Sequence, residues 1–336
     1  MTFVMTELVK LWLCDKFNFW LYNNRFGREV EYQVSTEKAT SGYKAWSKTA
    51  WVFPGQGSQA IAMEADLLEL SYAKDKFAQA ETILGWSVAE ICQSDKLSRT
   101  LYTQPSLYVV ESILADLMRE RGHKPGLVAG HSLGEYTALY IAGVFDWETG
   151  LHLIKRRAEL MDSAAGGMMA ALIGFNMEQL EQQIHQTPDV VLANDNSSAQ
   201  VVISGTPTAV EAVLSQVKAK RAIPLNVSGA FHSPLMAVAA AEFEKVLNSV
   251  SFNSAQIPVL SNVEPTPAVD AAILQERLSR QITGPVRWRE TSMQLQSEGI
   301  KRVIEIGPGS VLTGLIKRTC PNLILENVSS AKDLPV

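Results

Sequence analysis

Leu127-Val128-Ala129-Gly130-His131-Ser132-Leu133-Gly134 decides how this chain is read. The first four residues have the apolar, small character of a buried strand, and the G-x-S-x-G pentapeptide that overlaps its end makes a tight turn. From Gly134 to about Val144 the pattern becomes helical. A serine at such a strand–turn–helix junction is lifted out of the sheet, and the small residues at its flanks permit the strained backbone. The N–H of Leu133, at the helix start, points where the oxyanion of a tetrahedral intermediate would form. The same five residues can occur by chance in a plain turn. The strand before and the helix after tell against that, and Ser132 is read as a nucleophile.

A nucleophilic serine needs a base, and the chain holds five histidines: His123, His131, His152, His185 and His232. His131 lies inside the turn beside the serine, so its side chain is expected to point elsewhere. His123, His152 and His185 fall on polar parts or ends of helices. His232 sits in Ser228-Gly229-Ala230-Phe231-His232-Ser233, at a junction between two structural units, where a site is expected. Elimination leaves His232 as the base. No aspartate is placed to orient it, so a dyad with the imidazole held by a neutral carbonyl or amide is as open as a triad.

Outward from the serine the punctuation is regular. Ala50-Trp51-Val52-Phe53 reads as a strand ended by the loop Pro54-Gly55-Gln56-Gly57, and apolar spacing at Leu107, Val110, Leu114 and Leu117 predicts a helix over 106–120. Another helix is predicted from Trp147 to Ala164. Residues 168–227 read as a unit: strand 168–175, helix 177–185, strands 190–194 and 200–205, helix 208–221 and strand 222–227. That β-α-β-β-α-β order is the split ferredoxin-like pattern. Strands then resume near 259–261 and 302–306, giving a large α/β domain, 48–167 and 228–330, with a small one inserted. The loops Gly55-Gln56-Gly57 and Gly307-Pro308-Gly309 match no nucleotide fingerprint and read as tight turns.

The helix from Trp147 carries an anomaly. At about 100° per residue, Trp147, Leu151, Ile154, Ala158 and Met161 share one apolar face, and Arg157 falls about 60° from its centre. A guanidinium on a buried face is costly unless an anion meets it. Either a core carboxylate pairs with Arg157, or the partner is a carboxylate on the substrate, gripped by two parallel hydrogen bonds.

Bulk properties bound the function. An apolar share of 46% and a charged share of 19% are those of an ordinary globular protein, and a net charge of −5 argues against a nucleic-acid binder. No run approaches the ~20 apolar residues that span a bilayer. Cys14, Cys92 and Cys320 are too scattered for a disulfide framework or a metal site, which suits a reducing, cytoplasmic compartment. Residues 1–47 read as an extension outside the catalytic fold and poorly ordered. Asp15 and Lys16 break its apolar part, and its acids disfavour a transit peptide.

Six motifs now stand in order: Phe53-Pro-Gly-Gln-Gly-Ser-Gln59, Thr103-Gln104-Pro105, Gly130-His-Ser-Leu-Gly-Glu-Tyr136, Arg157, Gly229-Ala-Phe-His-Ser233 and Gly307-Pro-Gly309. Together they resemble the malonyl-CoA:acyl carrier protein transacylases of fatty-acid synthesis and the related acyltransferase domains of polyketide synthases, over roughly 48–330. The resemblance implies an α/β-hydrolase-like core with a parallel sheet and a ferredoxin-like insert. It implies Ser132 as the acylated nucleophile, His232 as its base, and the N–H groups of Gln56 and Leu133 as the oxyanion hole. Arg157 would bind the malonyl carboxylate, Gln104 would line the acyl pocket, and the backbone carbonyl of Gln281 would steady the histidine. Phe231 resembles the residue found in malonyl-selective members. The implied partners are malonyl-CoA, a substrate and not a cofactor, and acyl carrier protein, with a monomer expected and no nucleic acid or membrane. Carrier proteins of this kind are acidic, so a basic docking face is expected at Lys218, Lys220 and Arg221, at Arg287 and Arg289, or at Lys317 and Arg318. Three other readings share these residues: a trans-acting loader of polyketide carrier domains, a hydrolase that clears stalled carriers, and a catalytically silent scaffold.

Overall fold

β1 (Thr49–Phe53) shows why this chain folds in layers. Ala50, Trp51, Val52 and Phe53 are all fully buried, and alternate residues enter different cores: Trp51 and Phe53 one apolar cluster, Ala50 and Val52 another. A strand that is apolar at every position has both faces covered, as parallel sheets with helices on each side require. In the computed structural model, which describes residues 47–164 and 166–335, β1 pairs in parallel with β2 (Leu127–Gly130) and β8 (Arg302–Ile306). With β7 (Val259–Leu260) and β9 (Ile324–Val328) the sheet runs β7-β2-β1-β8-β9, every pairing parallel. The segment expected to form an extension falls, but for Ser47, outside the described residues.

A second, antiparallel sheet is built from β3 (Met168–Phe175), β4 (Val190–Ser197), β5 (Gln200–Gly205) and β6 (Ala219–Pro224), in the order β4-β5-β3-β6. The Met177–Gln186 helix joins β3 to β4 and the Pro207–Gln216 helix joins β5 to β6, the split β-α-β-β-α-β arrangement. Period-2 alternation again divides the residues. Ala170, Leu172, Val201 and Ile203 pack under the two helices, while Met169, Ala171 and Val202 face the main core. The amide of Val286 donates to the Ala193 carbonyl, Asp195 N–H donates to Val286 O, and Arg289 clamps Asp195 at 2.8 Å. The small sheet is thereby stitched to the loop and helix (Trp288–Ser297) of the large domain that carry Val286 and Arg289, and the architecture is an α/β-hydrolase-like core carrying a ferredoxin-like insert.

Several element ends differ from the sequence reading. The helix expected over 208–221 stops at Gln216, where Val217 turns extended and buries itself in the small core, so Lys218, Lys220 and Arg221 belong to or flank edge strand β6. The strand expected over 222–227 accordingly starts earlier and ends at Pro224. The helix after the serine ends at Ile141, because Gly143 takes a φ of +79° and reverses the chain. The helix read from Ser106 begins at Thr100 and carries Pro105 inside it, a residue usually taken as a start signal.

Candidate active site

Ser132 has a φ of +51°, a left-handed backbone that a residue with a side chain adopts only under constraint. The constraint is visible on both flanks. A Cβ at Gly130 would come within 1.9 Å of the Gly134 carbonyl carbon, and one at Gly134 within 2.0 Å of the Phe53 carbonyl oxygen. Only glycine at both positions lets strand, turn and the Gly134–Ile141 helix close this tightly. Asn262, just past β7, pins the turn from the side. Its Oδ1 accepts the Ser132 N–H at 2.6 Å and its Nδ2 donates to the Gly130 carbonyl at 2.6 Å.

His232 meets the serine, with Nε2 2.8 Å from Ser132 Oγ. It too has a positive φ, +58°. Its backbone is held by donation from its N–H to Ile282 O at 3.1 Å, and the neighbouring Ser233 hydroxyl donates to Ala230 O at 2.7 Å. Nδ1 lies 3.0 Å from the Gln281 carbonyl and 3.1 Å from that of Gly284. A carbonyl can only accept, so the proton sits on Nδ1 and Nε2 presents a lone pair to the serine O–H. Among the described residues no acid orients the ring; two backbone carbonyls do. Burial, reinforced by the nearby Arg157 charge, pushes the imidazole down to about 3, and it is neutral across the physiological range.

Arg157 is fully buried in the middle of the Trp147–Ser163 helix. Among the described residues no carboxylate lies within ion-pair distance of it. Its Nη1 donates to Gln104 Oε1 at 2.6 Å, and its Nη2 to Ser132 Oγ at 3.0 Å and Gln281 Oε1 at 3.1 Å. The Tyr136 ring covers it at 5.4 Å, and among the described residues its Nε has no acceptor. Desolvation lowers its pKa, the direction expected of a buried cation without a paired anion. Of the two partners the sequence left open, the core carboxylate is absent from contact distance.

These groups line a cavity of about 280 Å³ between the small sheet and the turns that follow β1 and β2, walled by Met161, Met169, Val202, Phe231 and Leu312. Gln56 and Leu133 also line it, and among the described residues neither of their backbone N–H groups donates to a protein acceptor. Both amides are free to meet a developing oxyanion. The Val311–Thr319 helix reaches the cavity because Glu305 caps it, accepting from the N–H groups of Leu312 and Thr313 at 2.9 and 2.8 Å. Gly307 packs on Pro54, as expected of a tight turn. His131 lines the cavity as well, but its Nε2 meets Asn196 Oδ1 at 2.9 Å and not the serine.

Seven of the eight sequence-derived residues, Ser132, His232, Gln56, Leu133, Arg157, Gln104 and Phe231, line this cavity, and Gln281 stands against Arg157, Ser132 and His232. Sequence reasoning missed Asn262, Glu135 and the side chain of Gln281. Glu135 is buried and accepts from Asn262 N–H at 3.1 Å and Gln281 Nε2 at 2.7 Å; burial raises its pKa. A polar residue in the apolar helix directly after the serine turn was a readable sign of Glu135, whereas Asn262 gave none.

The acyl transferase domain family matches residues 50–336 of this chain. A malonyl CoA-acyl carrier protein transacylase of Synechocystis sp. is 58% identical over 289 residues, 85% of this chain and 99% of that one. The crystal structure of a Synechocystis malonyl-CoA:ACP transacylase matches with a TM-score of 0.84 at 58% identity, covering 85% of this chain and 98% of that one. A malonyl-transacylase solved in complex with a type II polyketide acyl carrier protein matches with a TM-score of 0.81 at 38% identity, covering 86% of this chain and 98% of that one. Such identity, over nearly the whole of those relatives and on a shared fold, places the chain: it belongs to the acyl transferase family, among the malonyl-CoA:acyl carrier protein transacylases.

Proposed function

We propose that this chain transfers malonyl from CoA to the phosphopantetheine thiol of acyl carrier protein through an ester on Ser132, feeding fatty-acid synthesis. The Ser132 hydroxyl passes its proton to His232 Nε2 while Oγ attacks the thioester carbon, and the oxyanion is met by the Gln56 and Leu133 amides. Collapse breaks the carbon–sulfur bond, and the imidazolium returns the proton to the departing CoA sulfur. The carrier thiol then repeats the sequence on the malonyl-serine, with His232 as base and then acid. Apolar walls such as Met161 and Phe231 disfavour water as the competing nucleophile. Every named group comes from one chain, and the steps use only its own side chains and backbone.

The observation that carries this reading is Arg157: buried, out of ion-pair reach of any described carboxylate, and 3.0 Å from the nucleophile. A site for neutral acyl groups has no use for that charge, so the hydrolase reading is weaker. A trans-acting loader of polyketide carrier domains uses the same residues and is separated only by carrier preference. The free, buried Cys92 and Cys320 suit a reducing, cytoplasmic compartment, and among the described residues no helix is long and apolar enough to cross a membrane.

The test is intact-protein mass after brief mixing with malonyl-CoA or acetyl-CoA. Wild type is expected to gain a malonyl adduct on Ser132 in strong preference to acetyl, and Arg157→Ala to lose the preference. Equal labelling of wild type by both donors would make Arg157 structural and overturn the substrate assignment.

A further inference from the structure

Gln281 caps the Ala271–Arg280 helix and is fully buried. Its backbone carbonyl faces His232, but its side chain is engaged separately. Nε2 donates to the Ser132 carbonyl at 2.8 Å and to Glu135 Oε2 at 2.7 Å. Oε1 accepts from Arg157 Nη2 at 3.1 Å. A backbone carbonyl can only accept, so the NH2 end of this amide must face Ser132 and its oxygen must face the guanidinium.

The arginine is therefore gripped at two corners by neutral amide oxygens, those of Gln104 and Gln281, and at a third place by Ser132 Oγ, the atom that acylation changes. Neutral acceptors fix the guanidinium plane without cancelling its charge. A carboxylate in contact would pair with it permanently and compete with an arriving anion. The nearby Glu135 carboxylate is held off by the width of one amide, and that amide belongs to Gln281.

We infer that the Gln281 side chain is a positioning residue that sets acyl-group selectivity, holding Arg157 toward the Ser132 ester through a neutral oxygen so that the charge stays open to a malonyl carboxylate. This rests on the malonyl-serine reading above. The Gln281→Met variant removes both ends of the amide at similar volume and keeps the backbone carbonyl that orients His232. Losing a hydrogen bond to a charged group predicts that malonyl loading falls about ten- to hundredfold further than acetyl loading.

The experiment measures initial rates of Ser132 labelling by malonyl-CoA and acetyl-CoA in wild type, Gln281→Met, Arg157→Ala and the double variant. Acetyl labelling of the same sample reports that each variant is folded, and Gln281→Leu repeats the test with different packing. The proposal expects a reduced malonyl-to-acetyl ratio in Gln281→Met and no further reduction when Gln281→Met is added to Arg157→Ala, because the glutamine acts through the arginine. Equal loss of both acyl groups would make Gln281 a mere support of the serine turn and overturn the proposal, as would an undiminished effect in the Arg157→Ala background. A wild type that forms no malonyl adduct overturns the malonyl-serine reading and this proposal with it.

Discussion

His232 can take a proton from Ser132 only while its Nε2 is unprotonated. An exposed histidine would lose that capacity as pH falls through about 6.5. Here burial first, and the Arg157 charge second, push the imidazole down to about 3, so the base form persists far into acid. The sign follows directly: acylation should be flat from neutrality to about pH 4 and fall only as pH approaches the depressed value. Acetyl-CoA is the better donor for this measurement, since its acyl group has no carboxylate of its own to titrate. Rapid pH-jump labelling is needed, because the same shift makes the fold acid-sensitive. The unfolded histidine binds its proton near 6.5 and the folded one near 3, so this contribution to stability is full above about 6.5 and is lost across that window as pH falls. Arg157→Ala removes the second cause and should move the acid limb upward. A wild-type limb at about 6.5 would mean that the ring is hydrated and not poised as the geometry requires.

At the scale of elements, the strand–turn–helix around Ser132 is the part that tolerates least. Gly134→Ala forces a methyl into the Phe53 carbonyl, with β1 and the helix both fixed by core packing. The expected cost is about 2–4 kcal/mol, read as a lower urea midpoint, together with loss of Ser132 labelling. An unchanged midpoint would show that the turn has room that its backbone geometry denies. This element was legible in the sequence because its chemistry is local: two glycines, a serine and flanking apolar residues lie within a few positions. The Arg157 anomaly was legible for a similar reason, since one helical face can be read from its own spacing. Asn262 and the Gln281 amide were not, because they reach the serine from distant parts of the chain through contacts that no periodicity encodes. The end of the Pro207–Gln216 helix was misread for the opposite reason. Ala, Val and Lys continue a helical pattern well enough locally, and the pairing of β6 with β3 overrides it.

For the whole molecule, under the proposed function a chain of net charge −5 receives a carrier expected to be acidic, so docking depends on where local positive charge lies relative to the cavity mouth. Of the three basic candidates, Arg287 and Arg289 are already paired, with Glu290 at 2.6 Å and Asp195 at 2.8 Å, and Arg289 ties its helix to the small sheet. Lys317 and Arg318 differ: both are exposed, neither has an acidic partner among the described residues, and their helix supplies Val311, Leu312 and Leu315 to the cavity. Lys218, Lys220 and Arg221 are also exposed, near the edge strand that leads into Leu225 and Val227 of the cavity wall. The helix is the better platform, since its N-terminus, capped by Glu305, opens beside the site and Lys317 and Arg318 follow within about two turns of it. Reversing Lys317 and Arg318 to glutamate should raise KM for carrier protein by about tenfold or more, an effect that shrinks with added salt, while the loading rate from malonyl-CoA changes far less. The same reversal at Lys220 and Arg221 serves as the contrast. If that pair raises KM for carrier protein and the helix pair does not, the carrier approaches over the small sheet instead. If neither does, attraction to an acidic partner is not what brings the two proteins together.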